Sequence, residues 1–333
     1  MKLGLFLTSG GARTAYQAGA VEVLMHEGGL HFDVVGCTSV GAINGAFVAT
    51  GQVDKLVELW SRWRDRDMWG IDWPALVRRR GLLQYWTQRK GALARHISED
   101  QLLPGVRYRL NLGCMTTGEQ EFFEWPHGPF PLVGGVNGSV AVAGGIKLFE
   151  ALGMQWCDAG AVDSFALEQL VLNTGVERVF VVGQAPRTPD PRLCRNLFSI
   201  QLRAIEWWQY RETLDGLEQV EVVNSRIREW QASREAAEQA ICEATNDAAL
   251  KSTLLAEVDR IYAEANFPYT RHPVEVIPIL PEHRTDMRFT DYSPARSRRL
   301  INEGREDARK ALHSVDVQSN RQDAKSAKYP PRI

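Results

Sequence analysis

Val34-Val35-Gly36-Cys37-Thr38-Ser39-Val40-Gly41-Ala42 constrains this chain more than any other stretch. An apolar, β-branched run climbs to a serine. Directly behind it Val40, Ile43, Phe47 and Val48 recur at helical spacing until Thr50-Gly51 ends the pattern. This reads as strand, sharp turn, helix, with Ser39 at the apex. Such a turn, the nucleophile elbow, holds its serine in strained backbone and lifts the hydroxyl clear of the sheet. Gly41 lets the helix start close to the strand. The Val40 amide, at the helix N-terminus, can face an oxyanion where the helix dipole favours negative charge. The usual pentapeptide is Gly-x-Ser-x-Gly, and here Cys37 holds the first glycine's place. A tight βα turn with an idle serine fits the same letters, so the elbow needs support from elsewhere in the chain.

The N-terminal stretch supplies some. Residues 3–8 read as a buried strand, followed by Ser9-Gly10-Gly11-Ala12-Arg13-Thr14. A helix then places Tyr16, Ala20, Val23 and Leu24 on one face and ends at Gly28-Gly29. Strand, glycine turn and helix N-terminus together make a nest of backbone amides suited to an anion. A phosphate could sit there, although Ser9 and Thr14 take the outer places of the dinucleotide glycine spacing. Alternatively the amides of Gly10, Gly11 and Ala12 point at an oxyanion made by the serine of the next strand. Consecutive parallel strands usually lie side by side, so both turns would open on one sheet edge. The second reading explains both motifs with one site.

Composition narrows the field. A chain of 333 residues can bury a substantial core, and 44% hydrophobic with 24% charged residues is ordinary for a globular protein. A net charge of −2 argues against nucleic acid as a partner. Five cysteines at irregular spacing, with no CxxC pair, fit reduced thiols in a cytoplasmic protein. No apolar run approaches the roughly 18 residues a membrane span needs. No metal-ligand cluster is visible, and no cofactor is expected.

The two glycine motifs, Ser9-Gly10-Gly11-Ala12-Arg13-Thr14 and Gly36-Cys37-Thr38-Ser39-Val40-Gly41, resemble the opening of a patatin-like phospholipase. In that family a glycine-rich loop ending in Arg or Lys forms the oxyanion hole. The elbow serine is the nucleophile, and an aspartate in a later Asp-Gly-Gly or Asp-Gly-Ala motif completes a dyad that lacks histidine. Gln155-Trp156-Cys157-Asp158-Ala159-Gly160-Ala161 fits that third motif, with Ala159 in place of its first glycine. The resemblance therefore implies Ser39 as nucleophile and Asp158 as general base. It implies an oxyanion hole from Gly10, Gly11, Ala12 and Val40, with Arg13, Cys37, Gly41 and Gly160 as supporting positions. Arg13 is expected to brace its loop or meet a lipid headgroup, and Asp163 to cap the next helix.

The expected fold is an α/β three-layer patatin-like domain over 1–313: a mostly parallel central sheet, helices on both faces, and a helical insert at 190–266. Residues 52–68 read as one amphipathic helix. Residues 106–113 and 120–125 read as a hairpin, and 134–147 as a helix beneath the site. Five of the ten tryptophans fall between 60 and 86 beside Arg78-Arg79-Arg80, Arg89 and Lys90. That mixture suits either a lipid–water interface or a cap whose rings are core and whose arginines are solvated. The tract 190–266 is either a helical layer, broken near Thr245-Asn246-Asp247, or a surface for self-association or a regulatory partner. A strand at Val274–Ile279 and a helix to about Leu312 close the domain, and 314–333 is expected to be a loose tail.

These features leave three function classes open. The first is a lipid acyl hydrolase of phospholipase A type, cytoplasmic and peripheral at membranes. The second is an acyltransferase or thioesterase using the same dyad. The third is a decayed scaffold, given Ser9, Thr14, Cys37 and Ala159 at motif glycine positions. A Ser-His-Asp triad would have to draw on His272 or His283, both in loop-like sequence.

Overall fold

The computed structural model describes residues 1–78, 83–89, 91–142, 146–161, 166–167, 169, 174–184, 186, 188, 194, 196–264, 272–283 and 291–328. In chain order the labelled elements are β1 (Leu3–Leu7), α1 (Ala15–Glu22), β2 (Val34–Cys37), α2 (Gly41–Ala49), α3 (Val53–Trp60), α4 (Asp65–Met68), β3 (Trp69–Ile71) and α5 (Trp73–Val77). Next come β4 (Leu83–Tyr85), β5 (Arg107–Cys114), β6 (Gln120–Trp125), α6 (Leu132–Ser139), β7 (Phe149–Ala151), β8 (Met154–Asp158) and β9 (Arg178–Val182). The last are α7 (Leu197–Ala244), α8 (Ala248–Glu264), β10 (Glu275–Ile279) and α9 (Pro294–Lys328).

Eight strands of the described chain form the main sheet in the order β10-β9-β1-β2-β5-β8-β7, with β6 also paired to β5. The run from β10 to β5 is parallel. β1, β2 and β9 are short uninterrupted apolar runs because both of their faces are covered. Alternate residues point to opposite layers. Leu5, Leu7, Val35, Cys37, Phe180 and Val182 join the core that contains α1, α2 and α3. Phe6, Val34, Val179 and Val181 join Leu167 and Val220 on the other face. The result is the expected three-layer α/β arrangement.

Helix α1 crosses α9 closely at two glycines. A Cβ on Gly19 would lie 1.9 Å from the Ile301 carbonyl oxygen, and one on Gly304 would lie 2.0 Å from that of Tyr16. Ion pairs Glu22–Arg305 and Glu27–Arg309 flank the crossing.

Several elements differ from their expected bounds. The stretch 52–68 is two helices, α3 and α4, because the chain turns at 61–64 and the Asp67 carboxylate takes the Arg64 amide. Helix α6 stops at Ser139 rather than running to 147, so that 140–142 can pass beside Asp158. The tract after 196 is a helical hairpin. Asp247 caps the amides of Ala249 and Leu250 at the expected break, Trp230 stacks on Tyr262, and Asn224 ties α7 to Val274. Helix α9 continues to Lys328 instead of ending near Leu312, since no Gly or Pro interrupts it before Pro330. Asp163 and its expected cap lie outside the described residues, as do Arg79, Arg80 and Lys90.

Candidate active site

β2 leads through Thr38 into Ser39, whose φ of 56° is left-handed, a conformation that costs a non-glycine residue free energy and recurs at functional turns. The Gly41 amide closes back on the Thr38 carbonyl at 3.0 Å, and that of Ala42 on Ser39 at 2.9 Å. The Val40 amide therefore precedes the first turn's internal bonds. Gly41 is required by proximity. A Cβ there would stand 2.5 Å from the Leu7 carbonyl oxygen and 2.8 Å from that of Thr8. Cys37 fits without crowding the turn because its side chain lies over Gly45, where an added Cβ would come 2.0 Å from Sγ. Burial pushes the Cys37 thiol well above its usual pKa, so it stays a neutral filler. Below the elbow, Thr38 Oγ1 donates to Asn111 at 2.7 Å and Tyr108 donates to the Ala42 carbonyl at 2.6 Å.

The sheet register delivers the aspartate. On β5, Leu110 faces Cys37 of β2, and two residues on Leu112 faces Asp158 of β8. Residues 108–113 of β5 already give their other edge to β6. Asp158 therefore sits on the edge β2 has just vacated, immediately beyond the elbow. Ser39 Oγ donates to Asp158 Oδ2 at 2.5 Å, with no imidazole between them. The second oxygen, Oδ1, accepts the Gly160 amide at 2.9 Å, which is what Gly160 contributes. Both Ser39 and Asp158 are 7% exposed. Burial raises the Asp158 pKa to about 6, and the bonds from Ser39 and Gly160 oppose that rise.

β1 lies beside β2, so the glycine loop opens on the same edge. The Arg13 amide closes on the Gly10 carbonyl at 3.2 Å, which leaves the amides of Gly10, Gly11 and Ala12 ahead of the first closed turn. Two buried amide side chains lock loop and elbow together. Gln17 Nε2 donates to the carbonyls of Thr8 (2.8 Å) and Val182 (3.0 Å). Asn44 Nδ2 donates to the Thr14 carbonyl and Gln17 Oε1, both at 2.9 Å, while Trp60 Nε1 donates to Asn44 Oδ1 at 2.8 Å. Arg13 is buried rather than turned to a headgroup. Its guanidinium lies 3.6 Å from Glu206 and 3.4 Å from Gln209 Oε1, both on α7, and Gln209 Nε2 donates to Ser9 Oγ. His283 is exposed and packs against Thr188.

Sequence reasoning missed Gln17, Asn44, Glu206 and Gln209. The first two carried a signal, as polar letters inside otherwise apolar helices. Glu206 and Gln209 carried none, since similar residues recur throughout α7.

A mostly parallel sheet thus brings a left-handed serine, a facing carboxylate and a glycine-rich helix entry together. The family model for patatin-like phospholipase matches residues 5–171, half of the chain, and the chain belongs to that family, which at family level consists of lipid acyl hydrolases. The match runs from β1 through Ser39 to beyond Asp158. Among solved structures the chain is similar to VipD from Legionella pneumophila, with 12% identity over 94% of this chain and 67% of that one, at a TM-score of 0.45. No curated protein matches the sequence. No described helix is long and apolar enough to cross a membrane.

Proposed function

We propose that this chain hydrolyses lipid acyl esters by a Ser39–Asp158 dyad. One observation carries the reading: the hydroxyl of a left-handed serine at a helix N-terminus donates directly to a buried carboxylate at 2.5 Å. Asp158 accepts the hydroxyl proton as Oγ attacks the ester carbonyl. The carbonyl oxygen gains negative charge opposite the amides of Gly10, Gly11, Ala12 and Val40, each such donor being worth about 10²–10³ in rate. Collapse expels the alcohol, which takes the proton from Asp158, and leaves an acyl-Ser39 ester. Water, deprotonated by the same carboxylate, then releases the fatty acid. The direct hydroxyl–carboxylate bond favours an active enzyme over a decayed scaffold.

The lipid side of the reading rests on exposed apolar residues of β3 and α5. Ile71, Trp73 and Val77 are exposed, while Trp60, Trp63 and Trp86 are core. These exposed residues are the part of 60–90 suited to peripheral membrane contact. Five free cysteines accord with a reducing, cytoplasmic setting. The outer part of the α7–α8 hairpin, with Val222, Leu250 and Ile261 exposed, is where self-association or a regulatory partner would act.

The test is a fluorophosphonate followed by mass mapping. A single adduct on Ser39 is expected, absent from Ser39→Ala and strongly reduced in Asp158→Asn. Undiminished labelling of Ser39→Ala removes the elbow from the mechanism.

A further inference from the structure

β9 ends at Val182 beside Leu7 of β1, and the ladder continues one step as the Thr8 amide donates to the Val182 carbonyl at 3.2 Å. Gly183 and Gln184 therefore leave the sheet alongside Thr8, Ser9 and Gly10, on the edge that carries the elbow. Gln184 is 4% exposed. Its carboxamide lies directly on Gly10, where an added Cβ would come 2.1 Å from Oε1 and 3.0 Å from Nε2. A side chain at position 10 would therefore have to displace the Gln184 carboxamide.

The two ends of that carboxamide are treated differently. Oε1 lies 3.3 Å from the Thr8 hydroxyl. Nε2 is buried with no hydrogen-bond partner among the described residues. An unpaired buried donor costs about 1–3 kcal/mol, and folded proteins satisfy most of their buried polar groups. Donors reserved for developing charge are the recurrent exception, because they must stand preorganised and uncommitted in the empty site.

Resting on the acyl-hydrolase reading, we propose that Gln184 is a substrate-binding residue. Its Nε2–H₂ group donates to the ester carbonyl oxygen as that oxygen gains negative charge, adding a side-chain donor to the backbone amides of the glycine loop. Gln17 and Asn44, the buried amides that lock the loop to the elbow, cannot serve, since the Nε2 of one and the Nδ2 of the other are each committed to two acceptors.

The experiment compares the parent with Gln184→Met, which keeps the length and removes the donor, and Gln184→Glu, which keeps the Oε1 contact and exchanges only Nε2. Thermal unfolding is followed before and after reaction with a fluorophosphonate. In that reaction Ser39 Oγ bonds to phosphorus, fluoride leaves, Asp158 takes the proton, and the phosphonyl oxygen occupies the oxyanion position. Turnover is measured on a soluble short-chain ester. Gln184→Met loses the Oε1 contact to Thr8 along with the unpaired donor, two effects of opposite sign, and Gln184→Glu adds a buried carboxyl, so each free variant's own unfolding temperature is the baseline for its adduct. Both variants should gain less stability than the parent from the adduct and show kcat/KM lower by about tenfold or more, with the loss in kcat. Failure of the parent to form an adduct on Ser39 overturns the hydrolase reading itself. An adduct that stabilises parent and variants equally overturns the assignment of Gln184 alone. So does a lower unfolding temperature of the free variants with turnover retained, which makes the residue a brace. If Gln184→Met does not fold, Gln184→Glu decides.

Discussion

To act as the proposed base Asp158 must be charged, yet the fold buries it, and among the described residues its carboxylate accepts two hydrogen bonds, from Ser39 and Gly160. Its pKa of about 6 sets the working range. Activity needs the ionised form, so kcat/KM should fall as pH drops through about 6 and stay level above it, as a pH profile on a soluble ester would record. The same shift has a consequence for stability with the opposite sense. A carboxyl raised above its unfolded value binds its proton more tightly when folded. Its contribution is full below the unfolded pKa near 4 and is lost as pH rises through about 6, on the order of 3 kcal/mol. Asp158→Asn, neutral throughout, should be nearly as inactive as Ser39→Ala. It should nevertheless unfold at a higher temperature than the parent at pH 8 and at about the same temperature at pH 4. A variant less stable than the parent at pH 8 would mean that the carboxylate is solvated and the base is not tuned by burial.

The next scale is the seam between β2 and α2, where the motif's missing glycine is compensated. The strand gains a side chain at Cys37 and the helix gives one up at Gly45, so backbone and sulfur meet where two side chains would collide. Gly45→Ala should therefore destabilise by about 1–3 kcal/mol through overpacking, despite alanine's better helix propensity. Adding Cys37→Gly should recover most of the loss, with a coupling above about 1 kcal/mol in denaturant unfolding of the four proteins. Independent, additive effects would place the thiol elsewhere. Elements of this kind were legible in the sequence because local letters determine them. Uninterrupted apolar runs gave β1, β2 and β9, and Thr245-Asn246-Asp247 gave the break between α7 and α8. The order of glycine loop, serine and aspartate pointed to the pair that the register of β5 brings together. What escaped was set at a distance. The grip of Glu206 and Gln209 on the glycine loop spans nearly two hundred residues and depends on where α7 docks, which no local pattern encodes.

At the scale of the whole molecule, the aromatic stretch 60–90 divides between core and surface, and each part has its own test. Trp60, Trp63 and Trp86 pack ring against ring at 4.9 Å per neighbouring pair. Trp69 lies 5.1 Å from Tyr85 and 6.1 Å from Tyr292, and the hydroxyls of those two tyrosines bond to each other. Arg89 donates back to the Trp69 carbonyl rather than reaching outward. This part ties the cap to the segment before α9, so Trp69→Ala removes packed area and should cost about 3 kcal/mol, read as a lower unfolding temperature. Trp73 and Val77 stand 64% and 80% exposed on α5, with little to lose on the protein side. Trp73→Ala with Val77→Ser should leave thermal unfolding and turnover of a soluble short-chain ester nearly unchanged. An indole at a lipid–water interface contributes through its amphipathic ring, and burying an apolar side chain there stabilises by about 1.5–3 kcal/mol. Loss of both side chains should therefore weaken binding to phospholipid vesicles at least tenfold and reduce hydrolysis there in proportion. Because the dyad lies on the sheet edge and the substitutions lie on the cap, the two substrates report on different parts of one molecule. Equal loss on vesicles and on the soluble ester would assign α5 to shaping the site. Undiminished vesicle binding would move the lipid contact to another exposed apolar surface, of which Trp207 and Trp208 on α7, beside the residues that hold Arg13, are the next to substitute.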